Sequence, residues 1–187
     1  FKLIRWEMQQ LTETEEPVSA DIFLEKVRRM NQYFSVLEHS FTVMIDGMER
    51  EQFLKFRMSL LPASGFQSAQ YRLIEIESTD LINLVAPEVR DSYKKEDDIA
   101  SLMKDIYWRK GATELASGKK TLTLQQFEEK YLSEFIEEGN RLRGQNLLQL
   151  YQKKYRDDER GSEIVEELKK FDLLANVFWP LAHFKSS

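Results

Sequence analysis

The chain contains no cysteine, which removes disulfides, zinc-thiolate sites, cysteine-ligated iron-sulfur clusters and thiol nucleophiles from the chemistry open to it. Its 7 glycines and 4 prolines in 187 residues are few for a protein of turns and short strands, while Leu, Glu, Lys, Gln and Arg abound. The expectation is an all-α fold. No stretch reaches the roughly 18 consecutive apolar residues that a membrane span requires. Even the apolar segment from Phe171 to Phe184 is broken by Asp172, Asn176 and His183, so a soluble protein outside the membrane is expected. Positive charge is not in excess: 27 Lys and Arg face 32 Asp and Glu, for a net charge of −5, which argues against a nucleic-acid partner. Also missing are a Gly-rich phosphate loop, an HExxH zinc pair and a GxSxG nucleophile elbow. What remains is a length suited to one domain or two tightly joined ones, with roughly 70% of the unfolded chain's surface buried on folding.

Apolar residues at helical spacing organise most of the chain. Phe1, Ile4, Met8 and Leu11 mark a first helix that already reads as a helix middle with no cap ahead of it, so a longer parent chain is expected. The polar run Thr12 to Ser19, with Pro17, is a loop. Ser19 or Asp21 can cap a second helix whose apolar positions Phe23, Val27, Met30, Phe34, Leu37, Phe41, Met44 and Met48 alternate steps of four and three. This is the strongest periodicity in the chain, and it suits a long helix packed nearly antiparallel to a neighbour in a bundle, or partly against another subunit. Glu49 to Leu61 predicts a shorter helix ended by Pro62. Ser64 and Gln67 fit a capping box opening a helix to about Glu77, and Thr123 to Gln126 offers a second box before Phe127, Tyr131 and Phe135. Pro87 to Tyr107 reads as helix, Ser117 to Lys120 as an exposed loop, and Leu147 to Tyr151 as a further helical stretch. The charge run Lys153 to Arg160 is a solvated helix end and loop. After Gly161 and Ser162, the positions Ile164, Leu168, Phe171 and Phe178 define a last helix. With no repeat and no linker, residues 1–187 are read as a single all-helical domain.

Histidine chemistry would rest on His39 or His183, the only two histidines. His39 falls off the apolar seam and is expected at the surface. The segment Phe53 to Arg72 is unusual because Phe53, Arg57 and Leu60 share one side of a short helix that the Ser64 turn prolongs, so a guanidinium sits among apolar groups. A buried unpaired charge is too costly to persist, and its planar fork suits a carboxylate. Either a protein Asp or Glu, or an anionic ligand, should face Arg57.

Leu60 to Glu75, LLPASGFQSAQYRLIE, closely resembles the hallmark segment of the tryptophan 2,3-dioxygenase family, haem enzymes of helical fold, and the preceding Phe53-Leu-Lys-Phe-Arg57 matches that family's aromatic-x-x-Phe-Arg. Phe1 to Glu7 is similar to the end of its Glu-Leu-aromatic-x-Lys helix, and Trp179-x-x-x-His183 to its Trp-x-x-x-His pattern. The resemblance implies a helical bundle of that type, haem b as iron cofactor, O2 and L-tryptophan or a related indole as substrates, and a cytoplasmic homotetramer. It implies that His183 is the proximal haem ligand with Trp179 beside it. Arg57 would hold the substrate carboxylate, Phe53 and Leu60 would line the indole pocket, and Ser64 would lie at the haem edge. A neutral imidazole one turn after an indole is suited to axial ligation tuned through its second nitrogen.

The departures from the family pattern are specific. The distal histidine would precede Phe1 and the Gly-Thr-Gly-Gly-Ser-Ser-Gly loop would follow Ser187. Thr42 stands where the family often has Trp, which opens that side of the pocket. Pro180-Leu181-Ala182 replaces a basic spacer, so that Pro180 either redirects His183 or starts a new helix. The implied reaction is dioxygenation of L-tryptophan to N-formylkynurenine. A haem monooxygenase acting on a substituted indole, and a cofactor-free helical binding or scaffold protein keeping the fold, are the alternatives.

Overall fold

A computed structural model of the chain describes residues 1–46, 49, 51–52, 55, 68–110 and 120–184, with backbone alone at 41, 43–46, 110 and 177–184. The fold is all-α, and among the described residues the one β-like pairing is an isolated antiparallel bridge between Val85 and Ile106. The chain divides into two compact units, Phe1–Gly65 with Tyr151–Ser187, and Phe66–Leu150.

The first unit is built on three helices, α1 (Lys2–Thr12), α2 (Ala20–Asp46) and α8 (Gly161–Phe184). The first helix stops where the polar loop begins. Ser19 then caps α2, its Oγ accepting from Ile22 N at 3.3 Å, and Asp21 adds negative charge where the helix dipole favours it. Ile4, Met8 and Leu11 of α1 and Phe23, Val27, Met30 and Phe34 of α2 are buried, as their spacing predicted, and His39 is exposed. Phe34 meets Phe171 of α8 edge-on at 5.5 Å, and Phe23 meets Tyr155 at 4.5 Å. Tyr155 closes a π-helical turn (Tyr151–Tyr155) and donates its hydroxyl to Val18 O at 2.7 Å. At the head of α8, Gly161 lies so close to this turn that a Cβ would meet the carbonyl oxygens of Arg156 and Tyr155 at 2.5 and 2.6 Å. Only glycine fits there.

In the second unit α3 (Ala69–Ser78) packs on α6 (Leu122–Arg141), and α4 (Ile99–Leu102), α5 (Tyr107–Lys110) and α7 (Leu147–Leu150) are single turns around them. Leu73, Ile76, Leu102, Met103, Trp108 and Phe135 anchor the core. Gly139 lets α4 approach α6: a Cβ there would meet Ile99 Cγ2 at 2.9 Å.

Three sequence expectations fail in this unit. The α3 cap is Ser68, whose Oγ accepts from Tyr71 N at 3.3 Å, so this helix starts at Ala69, while the Ser64 and Gln67 box lies outside the described residues. Thr121, not Thr123, caps α6, accepting from Leu124 N at 3.3 Å. Pro87 to Tyr107 is not one helix but two 3-10 turns (Arg90–Ser92 and Met103–Asp105) with α4 between them. Short acidic side chains divert the backbone: Asp97 accepts from Lys94 N at 2.8 Å and Asp98 from Ser101 N at 3.1 Å. Ala86 N then binds Asp105 O at 2.8 Å, drawing Ile106 into its extended pairing with Val85. Most of the predicted Glu49 to Leu61 helix, Gly111 and most of the Ser117 to Lys120 loop lie outside the described residues.

Candidate functional site

Phe53, Arg57, Leu60 and Ser64 lie outside the described residues. Trp179 and His183 stand one turn apart in α8, in its backbone-only stretch. The helix runs from Gly161 to Phe184 through Pro180, so a newly started helix at His183 is not what forms. A proline deep in a helix forfeits one main-chain hydrogen bond.

Directly after the Leu60 to Gln67 segment, α3 holds the buried guanidinium of the described structure, and it is Arg72. This residue, which sequence reading did not single out, is fully buried. Its Nη1 donates to Glu75 Oε2 and to Tyr107 Oη, each at 2.7 Å, and Tyr107 in turn donates its hydroxyl to Glu75 Oε1. Three rings enclose the cation, with centroids at 5.3 Å (Tyr71), 5.5 Å (Tyr107) and 4.7 Å (Trp108). Burial opposes the charge on Arg72, but Glu75 and Tyr107 outweigh it and keep the guanidinium protonated. Burial raises the Glu75 carboxyl above its ordinary range, with Arg72 and Tyr107 offsetting part of the rise. Burial and the neighbouring Glu75 charge push the Tyr107 phenol well above its ordinary value. Arg72 and Glu75, three apart on a helix otherwise bearing Leu73, Ile74 and Ile76 inward, were the available signal. Arg72, Glu75 and Tyr107 each bind the other two, which makes the arrangement an anchor on α3.

Two further charged nodes were also missed. Glu7 on α1 is fully buried, its Oε2 accepting from Lys26 Nζ at 2.9 Å and its Oε1 from Arg29 Nη1 at 3.0 Å, while Lys26 also lies 5.4 Å from the Trp6 ring centroid. Its signal was an acid on the face that carries Ile4, Met8 and Leu11. In the second unit, Asp80 accepts from Asn146 Nδ2 at 3.0 Å and Gln149 Nε2 at 2.8 Å and pairs with Lys95 at 2.6 Å. Burial works against its charge, yet these donors hold its carboxyl below the usual range. Among the described residues no cluster of three or more His, Cys, Asp or Glu could hold a metal ion, and no helix is long and apolar enough to cross a membrane.

The α2 to α8 contact carries polar ties as well as the apolar seam. Arg160 pairs with Asp21 at 3.0 Å, Arg28 bridges Glu163 at 3.1 Å and Glu167 at 3.3 Å, and the buried Asn31 amide binds Glu167.

Comparison with known proteins bears on the segment that sequence reading singled out. The family model described as tryptophan 2,3-dioxygenase matches residues 1–116, which include Phe53 to Glu75 and the Arg72 network but not Trp179 or His183. Tryptophan 2,3-dioxygenase B of Danio rerio is 28% identical over 146 residues, covering 71% of this chain, and the chain spans 31% of that relative's length. No solved structure matches the chain. A family match over more than half of the chain, laid on an all-α fold with the hallmark segment inside it, makes this protein a divergent member of the tryptophan 2,3-dioxygenase family.

Proposed function

We propose that the protein is a haem-dependent dioxygenase that opens the indole ring of L-tryptophan, taking up both atoms of O2 to give N-formylkynurenine. Residues 1–187 belong, in this reading, to one haem-dioxygenase-like domain that works as a cytoplasmic homotetramer. The observation that carries the reading is the run Leu60 to Glu75 with Phe53-Leu-Lys-Phe-Arg57 ahead of it, inside the residues the family model matches.

The donor chemistry on α8 fits the cofactor: Trp179 and His183 are one turn apart in a continuous helix, and a neutral imidazole is the ordinary nitrogen ligand of haem iron. His183 is the residue that would hold the iron and Trp179 its neighbour on the helix. Haem, when bound, supplies the oxygen chemistry at the indole C2–C3 bond. The chain's own contribution is placement. Arg57 pairs with the substrate carboxylate through its planar fork, Phe53 and Leu60 wall the ring, and Ser64 lies beside it. In sequence the recognition segment is followed by α3, which Arg72, Glu75 and Tyr107 anchor.

Arg57→Ala is expected to lower kcat/KM for tryptophan by orders of magnitude while haem content is retained, since the clamp orients the reacting bond. Near-normal turnover would remove Arg57 from the mechanism. His183→Ala is expected to purify without stable haem, and an unchanged Soret band would refute the ligand assignment. Product mass separates the related chemistry suggested by Thr42 and the Pro180 spacer, in which one oxygen atom rather than two is gained.

A further inference from the structure

The seam between α2 and α8 contains one buried residue that apolar packing does not need. Asn31 is 1% exposed, and its Nδ2 directs both hydrogens at a single residue of the opposite helix, the Glu167 main-chain oxygen at 3.0 Å and Glu167 Oε2 at 2.8 Å. Its own Oδ1 accepts no hydrogen bond among the described residues. A buried amide with an acceptor left over costs free energy that an aliphatic side chain would not. Stability is therefore a poor account of why this position is Asn.

The repeat in the seam supplies a better one. Phe23, Val27, Met30, Phe34 and Leu37 recur by fours and threes, so a slide of α2 along α8 by seven residues, about 10 Å at the helical rise, puts apolar side chains back into apolar places. The polar positions do not survive such a slide. In one direction Arg28 takes the place of Asp21 opposite Arg160, and Glu38 takes the place of Asn31 opposite Glu167. In the other, Asp21 takes the place of Arg28 opposite Glu163 and Glu167, and Leu24 takes the place of Asn31. Either slip sets like charges together, and either removes the amide that binds the Glu167 main chain.

We propose that Asn31, with Asp21 and Arg28, is a register pin that selects the one axial position of α8 along α2. Through it Asn31 is a positioning residue for Trp179 and His183, which α8 carries. This second step rests on the haem reading above, and the register itself does not.

Residues 1–187 hold no cysteine, so within them two introduced cysteines are the only thiols a nitroxide label can find, and any cysteine elsewhere in the parent chain is first replaced by serine. Val36→Cys and Leu173→Cys place labels on exposed positions of the two helices, 64% and 60% accessible, in the full-length protein. Double electron-electron resonance is expected to give one narrow distance in the parent and a second population in Asn31→Leu, whose urea midpoint is equal to or above the parent's. Glu167→Gln, which keeps both acceptors, should retain the single distance. An unchanged single distance in Asn31→Leu overturns the pin. If that variant does not fold, Asn31→Val is measured in its place, and loss of the fold in both overturns the proposal by making Asn31 a stabiliser. Hemin titration of the same samples keeps the two steps apart. A parent that takes up no hemin refutes the haem reading and leaves the register result standing. An Asn31→Leu sample with two distances but the parent's Soret band refutes the positioning step alone.

Discussion

Along α2 the buried residues Phe23, Val27, Met30 and Phe34 are spaced like rungs, and α8 packs on that helix through Phe171 against Phe34. Between Phe66 and Leu150 the core is instead assembled from short turns around α3 and α6, and its largest fully buried side chain is an arginine. The first unit is packed on repeated apolar volume, with the buried Glu7 paired to Lys26 and Arg29 beside it. The second buries the Arg72 guanidinium against Glu75 and Tyr107, so removing either Arg72 or Glu75 leaves its partner's charge stranded. Regular packing and networked packing should therefore respond to substitution in opposite ways.

The sharpest break is expected at Arg72. Arg72→Met strands the Glu75 carboxylate in the core and should destabilise the second unit by about 3–5 kcal/mol in urea unfolding, whereas Arg72→Met combined with Glu75→Leu should recover most of the loss. If the double variant is as unstable as the single one, the network is not what matters there. Met30→Ala, in the first unit, should cost about 2–5 kcal/mol through the cavity it leaves, with no partner variant able to restore it. Gly161→Ala should cost about 1–3 kcal/mol, because the new methyl would press on backbone carbonyls that cannot turn aside.

The smallest effect concerns acid. Asp80 has its folded pKa lowered, so its contribution is fully present above the ordinary aspartate range near 4 and is lost as pH falls through the folded value. Asp80→Asn should flatten the pH dependence of the urea midpoint below about pH 4 and leave its pH dependence near neutrality as in the parent. A wild-type slope in the variant would show that other carboxylates carry the acid limb.

The same contrast explains what could be read from the sequence. The all-α class, the α1 stripe, the α2 seam from Phe23 to Phe34, the exposed His39 and the start of α8 were legible because a 3.6-residue period leaves a mark that survives without knowledge of the partner. The caps at Ser68 and Thr121 were not, since several hydroxyls compete near each helix start and only tertiary packing selects among them. The break-up of Pro87 to Tyr107 was hidden for a related reason: Asp97 and Asp98 compete with the helix for backbone donors, and the Val85 to Ile106 pairing is non-local. Sequence reading placed a buried guanidinium at Arg57 and overlooked Arg72, because two of the rings around Arg72, Tyr107 and Trp108, come from residues 35 and 36 positions away. The roles given to Trp179 and His183 rest on the family resemblance, and α8 carries the two residues one turn apart in a continuous helix.

The central claim is tested most directly by incubating hemin-treated full-length protein with L-tryptophan under labelled oxygen, recording the absorption spectrum and the product mass together. The expected result is a Soret band that shifts on adding tryptophan and a product carrying two labelled oxygen atoms. A protein that stays colourless after hemin, or one that binds haem and returns tryptophan unchanged, would contradict it.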